Sequence, residues 1–227
     1  MSIFNRTAFF SALLRDRIIG KRTPLVVVLN TTFRCNLKCG FCDTKLGRFM
    51  EYEPQGLLNG IKLYQEGFHS ISFTGGEPLL QKDFLKEILK LTRAQGYKNY
   101  LETNGTLSDE LKEVIEYLDI VAMDLELPSS TGLGHLWDNH RRFLKIASDK
   151  EVFLKAVICQ TTKEEDLREA IGLIKEINRA AVLILQPNSY ENHGGLGAKL
   201  RNFKEICLRE KVTTCIIPQM HKIVGIK

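Results

Sequence analysis

From Pro24 onward the chain repeats one pattern: a short run of β-branched and aliphatic residues, then a longer stretch with helical spacing. "LVVVLN" (Leu25 to Asn30), "SISFTGG" (Ser70 to Gly76), "NYLETN", "IVAMDLE", "VFLKAVIC" and "AVLILQP" read as strands, and "VTTCIIPQ" as a last strand-like run. Helical stretches separate them: "PQGLLNGIKLYQEG" with Gly67 as a stop, Lys82 to Gln95 closed by Gly96, "SDELKEVIEYL", "HLWDNHRRFLKIA", "TTKEEDLREAIGLIKEI" and a segment near Leu200 to Glu210. In the second of these, Phe84, Leu85, Ile88, Leu89 and Leu91 recur at the period of one apolar face. Ser108 is placed to cap the third, and Thr161 with Glu164, or Thr162 with Glu165, to form a capping box before the fifth. Near-continuous apolar strands alternating with amphipathic helices predict an α/β protein with a parallel sheet covered by helices. Roughly six or seven such units can curl into a partial barrel. Nothing in the sequence marks a linker or a second domain. The expected division is a lead-in segment over 1–24 and one domain over 25–227.

Barrels of this kind place their chemistry at the C-terminal ends of the strands. After the first strand comes "CNLKCGFCDT", which puts Cys35, Cys39 and Cys42 within one loop. Thiolates are soft ligands, suited to zinc, copper(I) or an iron–sulfur cluster. A structural zinc site wants four ligands, often as two separated pairs, and no second CxxC and no histidine at finger-like spacing is present. A four-iron cluster held by three cysteines leaves one iron open to a further ligand. The remaining cysteines, Cys159, Cys207 and Cys215, are scattered and read as buried structural thiols.

Other strand ends carry candidate ligands. The second ends in "TGGEP", where Gly75 and Gly76 allow a close backbone approach beside the carboxylate of Glu77. The third ends in "ETNGT", where Thr103 and Asn104 either hydrogen-bond a ligand or simply enter a helix. Lys155 interrupts the apolar fifth strand and needs an anionic partner or an exit to solvent. Gln186 and the following Pro187 and Asn188 line a ligand or begin a loop. Asp124 and Glu126 lie at the end of the fourth strand and can face the pocket.

The CxxxCxxC loop after the first strand, with Phe41 before its third cysteine, resembles the signature of the radical S-adenosylmethionine (SAM) enzymes. The resemblance implies a partial (βα)6-type parallel barrel, a 4Fe-4S cluster on Cys35, Cys39 and Cys42, and SAM chelating the fourth iron. It further implies reductive cleavage of SAM to a 5′-deoxyadenosyl radical. TGGEP matches the motif that in this family holds the amino group of SAM. Phe41, Gly75, Gly76, Glu77, Thr103, Asn104, Lys155 and Gln186 are the implied cofactor-binding set. Together "CDT", "ETNGT", "MDLELPSS", "LILQP" and "IPQMHKIVGIK" are similar to the 7-carboxy-7-deazaguanine synthases. That family rearranges 6-carboxy-5,6,7,8-tetrahydropterin with Mg2+ on a threonine, here Thr44. His221 and Lys222 are then the candidates for binding substrate. Two departures lie where substrate is read. The chain lacks the Gln-Gly-Glu-Gly segment that usually opens the family, and it has Glu126 where the family often has lysine. A radical SAM enzyme on another small molecule, a glycyl-radical activase, and a zinc or iron–sulfur binding module are the alternatives.

Charge and composition set the remaining expectations. A net charge of +5 with 26% charged residues gives a solvated surface rather than a dedicated nucleic-acid face. The apolar stretch Ala8 to Leu14 is followed at once by Arg15, Asp16 and Arg17, which suits neither a signal peptide nor a membrane span. It reads as a short amphipathic helix that covers the barrel or contacts another subunit. The expected setting is cytoplasmic, with a small-molecule substrate, an electron donor such as flavodoxin or ferredoxin, no nucleic-acid or membrane partner, and a homodimer as one option.

Overall fold

The computed structural model describes residues 26–40, 42, 51–63, 68–191 and 193–219. Phe41, Thr44, His221, Lys222 and the lead-in segment 1–24 lie outside the described residues. The elements run β1 (Val26–Thr32), α1 (Pro54–Lys62), β2 (Ser70–Gly75), α2 (Lys82–Ala94), β3 (Asn99–Thr103), α3 (Ser108–Val114), β4 (Ile120–Asp124), α4 (Pro128–Thr131), α5 (Trp137–Ala147), β5 (Glu151–Ile158), α6 (Glu164–Ile177), β6 (Val182–Pro187), α7 (His193–Arg209) and β7 (Thr214–Ile216). The strands form one seven-stranded sheet in sequential order, and each neighbouring pair is parallel.

Sequential order explains the curvature. Right-handed crossovers place every connecting helix on the same side of such a sheet, so the other face is enclosed only when the sheet curls. The fold is the expected partial barrel, with a seventh strand beyond the six of the (βα)6 pattern. Outward-facing side chains Ile71, Phe73, Leu101, Val121, Leu154 and Leu183 are fully buried. The helices meet them with Leu85, Ile88 and Leu89 of α2, Phe143 and Leu144 of α5, and Leu167 and Ile174 of α6. The inner face is different. Registers Ser72↔Tyr100, Ala122↔Glu102 and Asp124↔Lys155 put Ser72, Tyr100, Glu102, Asp124 and Lys155 on one side of the sheet. The strands that read as near-continuous apolar runs therefore carry a set of polar groups on the inner face, beside apolar ones such as Phe153 and Ile184.

Two helix starts differ from expectation. Leu107 is the N-cap of α3, and Ser108 opens the helix with its hydroxyl buried and unpartnered. Lys163 precedes α6 without a side-chain cap. Thr162 instead accepts from the Cys159 N–H at 2.7 Å and pairs with the Ser130 hydroxyl at 2.7 Å. Its hydroxyl closes the β5–α6 loop, so it cannot also cap the helix. No helix among the described residues is long and apolar enough to cross a membrane.

Candidate functional site

The cysteine loop leaves β1 at the C-terminal rim, and the next two strand ends clamp it there. Gly76 N–H donates to the Thr32 carbonyl at 2.6 Å and Glu77 N–H to the Arg34 carbonyl at 2.8 Å. A Cβ on Gly75 would lie 2.2 Å from the Thr32 carbonyl oxygen, and one on Gly76 would lie 2.2 Å from that of Arg34. Gly75 also holds φ +140, which side chains disfavour. The glycine pair is thus required by the chain's own backbone: it lets the start of the cysteine loop lie directly on the end of β2.

Glu77 is fully buried and points inward. Its carboxylate accepts from Leu79 N–H (3.1 Å), Asn104 N–H (2.8 Å) and the Thr103 hydroxyl (2.9 and 3.0 Å). Its side chain is thus engaged within the protein, with four hydrogen bonds on its two oxygens. Glu77 joins the two strand-end motifs, because it fixes both Thr103 and Asn104. Asn104 passes that order to the cysteines, its Nδ2 donating to Asn36 Oδ1 at 2.9 Å and lying 3.6 Å from Cys35 Sγ. Thr106 completes the cycle, accepting from Asn36 Nδ2 at 3.0 Å and donating to Asn104 Oδ1 at 2.6 Å. Asn36 and Thr106 were not singled out from the sequence. Their only signal was a place inside the two motifs.

Burial raises the pKa of Glu77 to about 7, against the pull of its N–H and O–H donors. Between pH 4.5, its ordinary value, and 7, the folded chain holds a proton that the unfolded chain lacks. Unfolding free energy must therefore fall as pH rises through that window, by about 3 kcal/mol for this group. Glu126, also raised to about 7 by burial and by Asp124, acts in the same direction. Asp124, raised by burial, adds to the same trend, so urea denaturation of the cluster-free protein should show this loss and Glu77→Gln should remove part of the slope. A slope unchanged in the variant would assign the pH dependence to other groups.

The three thiols influence one another electrostatically, and none of them is in a disulfide. Leu37 N–H donates to Cys35 Sγ at 3.4 Å, and the Cys39 thiol donates to Glu126 Oε2 at 3.3 Å. Burial raises the pKa of Cys35, partly offset by its N–H donors. Burial and then the Glu126 charge raise Cys39 further. Gly40 N–H ties the far side of the loop to the Thr131 carbonyl at 2.8 Å. Among the described residues, no three His, Cys, Asp or Glu side chains converge tightly enough to grip a metal ion. The donor set nonetheless suits an iron–sulfur cluster: three soft thiols on one loop, with N–H groups already aimed at a sulfur.

Lys155 has two partners inside the barrel, Glu102 at 3.0 Å and Asp124 at 3.1 Å, and Glu102 also accepts from Ser72 at 2.9 Å. Burial opposes its charge, but the two carboxylates win and hold its ammonium above the ordinary lysine range. These contacts account for the lysine in the apolar strand without a ligand. Gln186 pairs in register with Val157 and is half-buried on the inner face. Asn188 is buried and donates to Cys159 Sγ at 3.4 Å. Beside Cys42 opens a cleft of about 620 Å³ lined by Gly40, Ser129, Thr131, Asn188 and Glu191 among others. Lys199 braces the β5–α6 loop by donating to the carbonyls of Cys159 (3.4 Å), Thr162 (2.8 Å) and Gln160.

Comparison with known proteins places this geometry. The family described as the Radical SAM superfamily matches residues 29–185. A 7-carboxy-7-deazaguanine synthase of Geobacter sulfurreducens is 34% identical over 216 residues, covering 84% of this chain and 86% of that one. A pyruvate formate-lyase-activating enzyme of Clostridium pasteurianum is 28% identical over 192 residues, covering 75% and 80%. The crystal structure of Streptococcus suis SuiB bound to precursor peptide SuiA superposes with TM-score 0.65 at 17% identity, a likeness of fold alone. It covers 92% of this chain, which spans about half (52%) of that one.

Proposed function

The chain belongs to the radical SAM superfamily, and on that premise we propose that it rearranges 6-carboxy-5,6,7,8-tetrahydropterin to 7-carboxy-7-deazaguanine. The observation that carries the reading is the 34% identity to a synthase of that name over most of both chains. The hydrogen-bonded unit joining Cys35, Asn104, Thr103 and Glu77 supports it, since it links the motifs that motivated the resemblance. Cys35, Cys39 and Cys42 would hold a 4Fe-4S cluster, which when bound supplies one-electron reductive cleavage of SAM.

The chain's own residues supply position and charge. N–H donors from Leu37 and Asn104 stabilise negative charge on the Cys35 sulfur. The glycine pair and Glu77 keep the loop seated against β2 and β3. Gly75, Gly76, Thr103, Asn104, Lys155 and Gln186 are the proposed SAM-side residues, with Phe41 among them from the sequence. Asp124 keeps a partly exposed carboxylate on the inner face, able to accept N–H groups of an aminopyrimidinone ring. His221 and Lys222 are proposed for substrate, Thr44 for Mg2+, and flavodoxin or ferredoxin as the source of the electron.

The test is anaerobic. Reconstituted protein with reductant, SAM, Mg2+ and the tetrahydropterin should yield both 5′-deoxyadenosine and 7-carboxy-7-deazaguanine, and omission of Mg2+ should lower the second product. 5′-Deoxyadenosine without the deazapurine would overturn the substrate. It would favour the activase reading, which the Clostridium pasteurianum relative supports.

A further inference from the structure

One small element joins the cysteine loop to a helix far from it in the chain. α4 is one turn, Pro128–Thr131, opened by its proline and ended by Gly132 with φ +74. A turn this short does not hold itself in place, because nucleating a helix costs more than its few hydrogen bonds return. Its position must come from its neighbours.

On one side the neighbour is the start of α6. Asp166, in the first turn of that helix, is buried, and its Oδ2 accepts from both the Ser129 N–H (2.8 Å) and the Ser129 hydroxyl. Ser129 Oγ in turn accepts from the Lys163 N–H at 2.9 Å. In a capping box the acid at this position takes the N–H of the helix's own cap residue. Here that N–H goes to Ser129, and Asp166 is turned onto α4 instead. Burying a carboxylate is costly unless its hydrogen bonds are made, and the bonds that offset the cost here go to α4. Beside them the Ser130 hydroxyl pairs with Thr162 at 2.7 Å.

On the other side the neighbour is the cysteine loop. The Thr131 carbonyl accepts from the Gly40 N–H at 2.8 Å, and a Cβ on Gly40 would lie 3.2 Å from the same oxygen. Gly40 stands between Cys39 and Cys42, whereas Glu77 and Asn104 hold the beginning of the loop at Arg34 and Asn36.

We propose that Asp166 is a positioning residue for the cysteine loop: through Ser129 it fixes α4, and through the Thr131 carbonyl α4 holds Gly40 between the second and third cysteines. The loop is then seated from two directions, by β2 and β3 at its start and by α6 through α4 further on. The contact stands without a cluster. Its consequence for metal retention rests on the reading of these cysteines as cluster ligands.

The test begins with cluster-free protein. Amide hydrogen exchange is followed residue by residue in wild type, Asp166→Ala and Asp166→Asn, with a urea melt of each. The Gly40 N–H reports the brace, and the Gly76 N–H, bound to the Thr32 carbonyl at the other seat of the loop, is the internal reference. Asp166→Ala should speed exchange at Gly40 about 10-fold and leave Gly76 unchanged. Asp166→Asn keeps an acceptor oxygen and should stay within about threefold of wild type. After anaerobic reconstitution, Asp166→Ala should release iron to excess chelator on the order of 10-fold faster. If Asp166→Ala does not fold, Ser129→Ala, which deletes the hydroxyl shared by Asp166 and Lys163, is expected to show the same pattern. Gly40 exchange at the wild-type rate in the alanine variant overturns the proposal. So does an equal rise at Gly40 and Gly76 with a weaker melt, the mark of general destabilisation, and so does an asparagine variant that restores nothing. Iron release at the wild-type rate despite faster Gly40 exchange also overturns it, since the loop would then be held by its ligands alone. Wild type that takes up no iron and sulfide overturns the cluster reading instead, and the exchange result still decides the brace.

Discussion

Cys39→Ala is expected to abolish reductive SAM cleavage while leaving the fold intact. Cys39 is the middle proposed ligand of the loop, and among the described residues its Sγ hydrogen-bonds Glu126 Oε2. Losing an outer-shell partner costs a metal site about 10- to 100-fold, and removing a ligand itself should exceed that. Stability should change little. The thiol is only half-buried, the bond lost is one weak S–H donation, and Glu126 is already raised to about 7 by burial, so it can carry its own proton. The net change should stay within about 1 kcal/mol. Iron content and 5′-deoxyadenosine formation read the first effect, and a denaturant melt the second. Full cleavage activity in the alanine variant would refute the cluster assignment.

Gly76→Ala should produce a large structural effect for a single methyl group. Its Cβ would lie 2.2 Å from the Arg34 carbonyl oxygen and 2.6 Å from the carbonyl carbon. Both atoms are backbone, so no rotamer change relieves the overlap. Either β2 retreats, losing the Glu77 N–H bond to Arg34, or the cysteine loop lifts off the rim. A loss of about 3 kcal/mol, at the top of the overpacking range, is expected, together with reduced iron uptake. Gly60→Ala is the control: it sits inside α1 with nothing within 4 Å of the added carbon. There alanine should be neutral or stabilise by up to about 1 kcal/mol. Equal effects at the two positions would show that contact with the loop is not what Gly76 provides.

Much of the fold was legible because its signals are local. Periodicity marked each of the observed strands, and the helix Lys82–Ala94 buries Leu85, Ile88 and Leu89 from the face read in the sequence. The helix caps were misread for a physical reason. Ser108 and Thr162 have the right chemistry, but tertiary contacts decide which partner a hydroxyl meets. Thr162 was taken by the Cys159 N–H and the Ser130 hydroxyl of neighbouring loops.

The site divides in the same way. Residue types alone state the donor set: three soft thiols in one loop, a glycine pair and a carboxylate after β2, and Thr-Asn after β3. They also mark Lys155 as a charge in an apolar strand that required a partner. The identity of that partner comes from folding, because Glu102 and Asp124 meet Lys155 through strand register across 53 and 31 positions of chain. Folding likewise turned Glu77 inward as the brace of Thr103 and Asn104, and gave the glycines to backbone contact with the cysteine loop. Ligand chemistry resides in side-chain type, which a sequence states outright. Which groups face the ligand and which are spent holding others in place depends on the register and curl of the sheet, set by packing summed over the whole barrel.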